Sequence, residues 1–110
     1  MFEIHDNDIY ISRGEPAVLN ITPTEDNGEI YTLDPLERLE LRIYDFNRHV
    51  SRKMIRTENG TTEFKIKAED TKGLWGTLAY NVRLVFADGS YKTIIGETPT
   101  QLPRFYVLEG

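Results

Sequence analysis

The sequence contains no cysteine, which excludes disulfides, thiolate catalysis and cysteine-ligated metal centres. It also has no apolar run near the roughly 20 residues that a membrane-spanning helix needs, so we expect no membrane association. The amino terminus lacks a basic start followed by an apolar stretch, and no secretory signal is predicted there.

Histidine is scarce, and this bears on catalysis. His5 and His49 are isolated, and neither belongs to a recognisable arrangement of a nucleophile, a base and an orienting acid. The glycines likewise do not follow the spacing of a nucleotide-binding loop. We therefore predict no catalytic residue, no cofactor and a protein that is not an enzyme.

Neighbouring carboxylates occur twice, in Glu69-Asp70 and in Asp6-Asn7-Asp8. A calcium loop that began at Asp6 would require glycine at its sixth position and glutamate at its twelfth. Those positions hold Ile11 and Ala17, so no metal site is predicted. We interpret these acids as turn formers, because aspartate hydrogen-bonds its own backbone two residues ahead.

The charge balance is acidic, with 13 basic and 18 acidic residues and a net charge of −5. An acidic protein repels the phosphate backbone, so we predict no nucleic-acid partner. Residues 48–56 are a local exception, with Arg48, His49, Arg52, Lys53 and Arg56 close together. We interpret this basic run as the solvated face of a strand or loop rather than a phosphate track.

Hydrophobic alternation predicts strands along most of the chain. In residues 39–44, Leu39, Leu41 and Ile43 alternate with Glu40 and Arg42. Since successive side chains of a strand point to opposite faces, one face is expected on a core and the other in water. Similar patterns predict strands at residues 2–5, 9–12, 17–22, 64–67, 78–87, 91–95 and 105–108.

Turn signals separate these strands. Asn27-Gly28, Asn59-Gly60 and Asp88-Gly89 each lie between hydrophobic alternations, and Asp88-Gly89 predicts a two-residue hairpin turn. About eight short strands divided by regular turns are typical of a sandwich or barrel. We predict one all-β domain over residues 1–110, with an immunoglobulin-like antiparallel β-sandwich.

Three features fall outside the strands. Residues 35–38 are compatible with a short helical turn, and residues 68–74 predict one helical turn between sheets. Trp75 follows in a loop, where an indole stacks on a sugar, anchors a partner protein or closes the end of the core. We favour closure of the core for Trp75, and leave contact roles to exposed tyrosines such as Tyr31 or Tyr44.

The order of several weak motifs resembles one known family. An Arg13-Gly14-Glu15 turn precedes an alternating strand, and Ile30-Tyr31-Thr32-Leu33 follows a glycine turn. Residues 64–74 then carry a strand, Glu69-Asp70-Thr71 and a leucine, before Gly76, residues 80–84 and Asp88-Gly89. This order is similar to the Ig-like amino-terminal domain of phage baseplate upper proteins and to small prophage proteins of low-GC Gram-positive bacteria.

The resemblance extends over residues 9–108, with two departures. Thr77-Leu78-Ala79 stands between Gly76 and Tyr80, and residues 96–103 are longer than the family's usual approach to the last strand. The family's large receptor-side module has no counterpart in these 110 residues, which favours a small accessory or decoration protein.

The resemblance implies a non-enzymatic phage or prophage structural protein of a baseplate, tail or capsid. We expect it to be made in the bacterial cytoplasm, to bind other phage structural proteins, to form homo-oligomers and to enter the virion. The alternative is a carbohydrate- or ligand-binding module that uses exposed aromatic side chains, Trp75 among them.

Overall fold

The computed structural model describes residues 2–45, 47 and 50–109. Nine strands and one short helix lie in this part of the chain. In chain order they are β1 (Phe2–His5), β2 (Asp8–Ser12), β3 (Ala17–Asn20), β4 (Arg38–Asp45), β5 (Val50–Arg56), β6 (Glu63–Ile66), α1 (Ala68–Lys72), β7 (Gly76–Val85), β8 (Tyr91–Ile95) and β9 (Arg104–Leu108).

Seven strands form a large mixed sheet in the order β1-β2-β9-β7-β4-β5, with β8 also paired to β7. The β2–β9 pair is parallel, so the prediction of a wholly antiparallel arrangement is wrong at this pair, and the other pairs are antiparallel. One edge of the ten-residue β7 is shared: its first four residues pair with β9, and residues 82–85 pair with β8. The remaining strands, β3 and β6, form a separate antiparallel pair.

The hydrophobic core includes side chains from both sheets. Leu39, Leu41 and Ile43 of β4 are fully buried, as the alternation predicts. Leu19 of β3 and Phe64 of β6 supply the other side of the same cluster. Burial of apolar area on this scale is the main favourable contribution to folding. The sequence-based prediction of a mostly β protein is confirmed.

The predicted strands at residues 2–5 and 91–95 have the observed bounds, and the others agree to within a few residues. The main addition is β5, which the sequence suggests only as the solvated face of a strand or loop. Its inward Ile55 is buried, but Arg52 and Arg56 are exposed, so its apolar alternation is short. Pairing with β4 holds this segment as a strand despite the weak pattern.

Two local predictions are wrong. The turn of the β7–β8 hairpin comprises three residues, 87–89, rather than two, because Phe86 N–H donates to the Ser90 carbonyl and closes the turn, in which Gly89 takes a φ of 90°. Glycine accepts this left-handed conformation without steric cost. Residues 35–38 form no helical turn: Glu37 N–H bonds the Asp34 carbonyl in a single turn, and β4 begins at Arg38.

The predicted helical turn in residues 68–74 is confirmed as α1. Asp70 Oδ2 accepts a hydrogen bond of 2.8 Å from Lys67 N–H at its start. Thr71 is completely buried, and its Oγ1 accepts a bond of 2.8 Å from Gly14 N–H. The buried hydroxyl therefore fixes α1 against the turn at residues 13–14.

Candidate functional site

The large sheet has one face that points away from β3 and β6, called here the outer face. It is formed by the residues that alternate with the core residues of β4 and by their cross-strand neighbours. Tyrosine and arginine are its most frequent residues. The polar and aromatic residues of the outer face include Tyr10, Arg38, Glu40, Arg42, Tyr44, Arg56, Asn81, Arg83, Tyr91 and Tyr106, and Met54, Ala79, Val85 and Thr93 share the same face.

At one side of the outer face, Tyr10 of β2 and Tyr106 of β9 are direct partners across the parallel pair. Their rings stack with centroids 4.5 Å apart and an angle of 9°. His5 of β1 meets the Tyr10 ring edge-on at 5.4 Å. Burial, followed by the neighbouring Tyr106 and Asp8, raises the pKa of Tyr10. His5 Nε2 also lies 3.0 Å from Glu3 Oε2, so Tyr10 and Glu3 are its neighbours on this side of the face.

At the opposite side, Glu40 lies between two arginines. Its Oε2 accepts from Arg56 Nε at 2.9 Å and from Arg38 Nη2 at 3.1 Å. Glu40 is only 9% exposed, so the expectation that it points into water is wrong. Burial favours its neutral form, but the hydrogen bonds from Arg56 and Arg38 outweigh this effect, and the pKa lies below its ordinary value.

Tyr44 is also covered, with an exposed fraction of 3%. The guanidinium of Arg42 lies 4.7 Å from the centre of its ring. Burial and, second, the charge of Glu97 raise the pKa of Tyr44. The prediction that Tyr44 is an exposed contact anchor is therefore wrong, because neighbouring side chains already occupy its surface.

In the β7–β8 part of the outer face, two buried polar atoms lack a hydrogen-bond partner among the described residues. The guanidinium of Arg83 lies 4.4 Å from the ring centre of Tyr91, which is 56% exposed. Arg83 Nε and Asn81 Oδ1 are buried and have no hydrogen-bond partner among the described residues. Most buried polar atoms in native structures have a hydrogen-bond partner, so two buried atoms without one on the same face need an explanation.

Trp75 lies at the other end of β7, just before Gly76. It is 63% exposed, so the prediction that it closes the core is wrong; its neighbour Leu74 is buried instead. The guanidinium of Arg13 lies 5.5 Å from the indole centre, and Arg13 Nη2 pairs with Glu109 at 2.9 Å. The indole is therefore available for contact on the part that Arg13 leaves uncovered.

A cleft of about 460 Å³ opens between residues 23–27 and the β7–β8 hairpin. Its lining is apolar at Leu84, Phe86 and Ile94, and polar at the 23–27 loop. Tyr31 also lines it, half-buried rather than exposed, and its hydroxyl donates to Glu37 Oε1 at 2.7 Å. This bond and then burial raise the pKa of Tyr31 to about 12.

The turn-former interpretation holds for Asp6 only, since Asp8 lies within β2 and Glu69-Asp70 within α1. Asp6 takes a φ of 55° in the turn between β1 and β2, and Asp8 Oδ1 accepts from Arg104 N–H at 3.2 Å. Asp70 caps α1 and pairs with Lys53 at 3.1 Å. Among the residues described, no three His, Asp or Glu side chains form a group that could hold a metal ion.

The basic run is partly described, since Arg48 and His49 lie outside the described residues. Its three described cations each pair with a carboxylate: Arg52 with Asp45 at 3.7 Å, Lys53 with Asp70 at 3.1 Å and Arg56 with Glu40 at 2.9 Å. Such pairing lowers the local excess of positive charge that a phosphate track would need.

The comparisons with known proteins return no match, whether to a family model, to a curated protein or to a solved structure. Within the described part of the chain, no helix has the length and apolar character that crossing a bilayer requires. Any function of the outer face, the exposed Trp75 or the cleft therefore follows from the chemistry of these residues alone.

Sequence reasoning places Asn81 and Arg83 on one face of β7 but does not identify them as site residues. The available signal is the recurrence of tyrosine and arginine at outward positions of several strands. This recurrence does not reveal a shared face, because the sequence does not show that β7 lies between β4 and β9. Arg83 and Tyr91 meet because residues 82–85 pair with β8.

Proposed function

We propose that the chain is a non-enzymatic structural protein of a phage or prophage particle, acting through protein–protein contacts at the outer face. The observation that carries this proposal is the concentration of tyrosine and arginine on that face around Arg83 and Tyr91. These two residue types are enriched at protein interfaces and among the side chains that contribute most to binding. The place in a baseplate, tail or capsid rests on the family resemblance.

An immunoglobulin-like sandwich is the finer fold that we propose. Such sandwiches place strands C, F and G in one sheet, with C′ added in the variable type, and strands B and E in the other. Here the order β9-β7-β4-β5 corresponds to G-F-C-C′, and β3–β6 corresponds to B–E. The departures are β8, which lies between F and G in the chain, and β1 and β2, which extend the large sheet.

The proposal is tested by incorporation into particles. Prophages would be induced in the source bacterium, and the purified particles searched for this chain by quantitative mass spectrometry. We expect a fixed copy number relative to the major capsid and tail proteins. Absence of the chain from intact, infectious particles would contradict a structural role in the virion.

A pair of variants tests the outer face itself. Arg83→Ala removes an outer-face cation, and Lys65→Ala removes an exposed cation from β6 on the opposite side of the protein. With comparable thermal stability, we expect the Arg83 variant to be lost from particles and the Lys65 variant to be retained. Equal retention would show that another surface makes the contact.

A carbohydrate-binding module remains the second candidate, and the exposure of Trp75 favours it. An exposed indole offers a flat apolar surface on which a sugar ring can stack. The test is a glycan array with the intact protein and Trp75→Ala. A hit that disappears in the folded variant would support this function, and an empty array would count against it.

A further inference from the structure

The two Asn-Gly pairs of the chain are chemically alike but have different surroundings. Asn27-Gly28 lies in the loop between β3 and β4, and Asn59-Gly60 lies in the loop between β5 and β6. Both asparagines are exposed, and the glycines take a φ of 87° at Gly28 and 78° at Gly60. In such a pair the glycine nitrogen can attack the carbonyl carbon of the asparagine side chain, because glycine has no Cβ to obstruct the approach.

Tertiary contacts hold the Asn59-Gly60 pair in place. Gly60 N–H donates a hydrogen bond of 2.6 Å to the Glu37 carbonyl, and a Cβ added at Gly60 would lie 3.3 Å from Pro35 Cα. Glu37 is itself buried, and its carboxylate accepts a hydrogen bond from the Tyr31 hydroxyl. The Gly60 nitrogen therefore becomes available for attack only when this packed segment opens.

The Asn27-Gly28 pair is held by contacts within its own loop. Gly28 N–H donates to the Glu25 carbonyl at 2.9 Å, and Glu25 N–H donates to the Glu29 carbonyl at 2.7 Å. Residues 24–30 are exposed, and no atom of the other described residues beyond its chain neighbours lies within 4 Å of a Cβ added at Gly28. Opening this loop is therefore a smaller fluctuation than opening the packed segment at Gly60.

The Asn27 side chain also has a hydrogen bond that favours attack at its carbonyl carbon. Its Oδ1 accepts from Glu29 N–H at 3.0 Å. Negative charge develops on this oxygen when the carbonyl is attacked, and a backbone N–H that already points at the oxygen stabilises that charge. The fold thus leaves the nucleophile of this pair weakly held and directs a donor at its electrophile.

We propose that Asn27 is a site of spontaneous deamidation and that the fold protects Asn59. The Gly28 nitrogen loses its proton to hydroxide and forms a bond to Asn27 Cγ. The bond between Cγ and the amide nitrogen then breaks, and this nitrogen takes a proton from water and leaves as ammonia. The product is a cyclic succinimide, which water opens at either carbonyl to give aspartate or isoaspartate. Deamidation of Asn27 is independent of the proposed structural function.

The related Asp88-Gly89 pair carries an acid in place of the amide. Asp88 Oδ1 accepts hydrogen bonds from Ser90 Oγ at 2.6 Å and from Ser90 N–H at 2.9 Å. These two bonds lower the pKa of Asp88, so its carboxyl group stays ionised at neutral pH. Ring closure at an aspartate requires the neutral acid, because an ionised carboxylate is a poor electrophile. Asp88 should therefore react more slowly than Asn27.

Deamidation changes the charge and the shape of the cleft. Asn27 lines the cleft beside Glu25 and Asp26, so either product adds a further carboxylate to the same loop. The net charge of −5 becomes one unit more negative. Isoaspartate also adds a methylene to the main chain before Gly28, inside the turn that the bond from Gly28 N–H to the Glu25 carbonyl closes. The cleft of an aged molecule therefore differs from that of a newly made one.

The first test compares the two asparagines in one sample. The purified chain is incubated in mildly alkaline buffer, and digests are analysed by mass spectrometry for conversion of amide to acid at each position. We expect Asn27 to convert at least about tenfold faster than Asn59, a ratio that corresponds to the contribution of about one hydrogen bond. Asn27→Gln should suppress conversion at that position, because a glutamine side chain closes a larger ring. The matched control Asn59→Gln should leave the Asn27 rate unchanged.

The same measurement in urea separates the effect of the fold from that of the local sequence. Neither glycine nitrogen is held in the unfolded chain, so the two rates should become similar. A ratio in urea as large as in buffer would overturn the inference, because the neighbouring residues would then set the difference. Folded protein in which Asn59 converts as fast as Asn27, or in which Asn27 stays intact while the unfolded chain reacts, would overturn it as well. None of these outcomes depends on whether the chain is found in particles, which tests the proposed function.

Discussion

Alternate side chains of β4 face the two sides of the large sheet. Leu39, Leu41 and Ile43 are buried in the core by other apolar side chains. On the outer face Glu40 is almost equally inaccessible, but ion pairs with Arg38 and Arg56 cover it. One strand thus obtains burial on one side from the hydrophobic effect and on the other from a charged cluster. These two kinds of burial should respond differently to truncation and to pH.

The largest effect is expected on the inner face. Leu41→Ala should lower the free energy of unfolding by about 2–5 kcal/mol, because the loss of buried methyl groups also leaves a cavity. Urea denaturation measures the change. Leu36→Ala, which shortens a side chain that is 66% exposed, is the control and should change stability by less than about 0.5 kcal/mol. Equal losses in the two variants would mean that burial at Leu41 does not dominate.

Glu40→Ala should have an intermediate effect, with a loss of about 1–2 kcal/mol at neutral pH, because both arginines lose their shared acceptor. The folded-state pKa of Glu40 is lowered, so its contribution is complete above the unfolded-state pKa. It disappears as the pH falls through the lowered value.

Urea titrations at neutral and acid pH test this dependence on Glu40. The difference between the intact protein and Glu40→Ala should shrink in acid. Glu63→Ala, an exposed carboxylate on β6, is the matched control and should give a small difference at both pH values. A Glu40 difference that stays constant with pH would contradict the charged-cluster explanation.

The sequence predicts the inner face well and the outer face poorly, and β4 shows why. The alternation of apolar and polar residues along a strand shows which residues share a face. Leu39, Leu41 and Ile43 are buried on one face, as this alternation predicts. The alternation does not show what covers the other face. Tyr44 is covered by Arg42. Glu40 is covered by Arg56, and this contact depends on β5, a strand whose own apolar pattern is short.

The same reasoning explains the error at Trp75. A large aromatic residue in a loop between strands is compatible with either core or surface, and local sequence does not distinguish them. Leu74 fills the buried position, and the positive φ of Gly76 begins β7 immediately afterwards. The surroundings of Trp75 and the cleft that Tyr31 lines both depend on the pairing of strands that are distant in the chain. A single sequence does not reveal that pairing.

A smaller effect is expected at Tyr31, whose hydroxyl bonds the buried Glu37. Tyr31→Phe should cost about 1 kcal/mol at neutral pH, the usual net contribution of one hydrogen bond. Tyr91→Phe, on the exposed end of the outer face, is the matched control at that pH.

The pH dependence of Tyr31 gives a second measurement. Its folded-state pKa is raised to about 12. A raised pKa means that its contribution is complete below the unfolded-state value, near about 10, and is lost as the pH rises toward the folded-state value. Urea midpoints of the intact protein should therefore fall in this alkaline range, and Tyr31→Phe should reduce the fall. Identical alkaline curves would contradict the Tyr31–Glu37 coupling.

The smallest expected change in stability is at Arg83, and it sharpens the comparison within the outer face. The Glu40 carboxylate accepts hydrogen bonds from Arg38 and Arg56 of the same chain. Arg83 Nε, in contrast, is buried without a hydrogen-bond partner among the described residues. Arg83→Met removes the guanidinium that lies over Tyr91 but also removes an unpaired buried donor. Because these two effects oppose each other, stability should stay within about 0.5 kcal/mol. Loss from particles at undiminished stability would mean that Arg83 is kept for a partner rather than for the fold. A loss of stability as large as that of Glu40→Ala would instead place Arg83 in the same self-contained cluster.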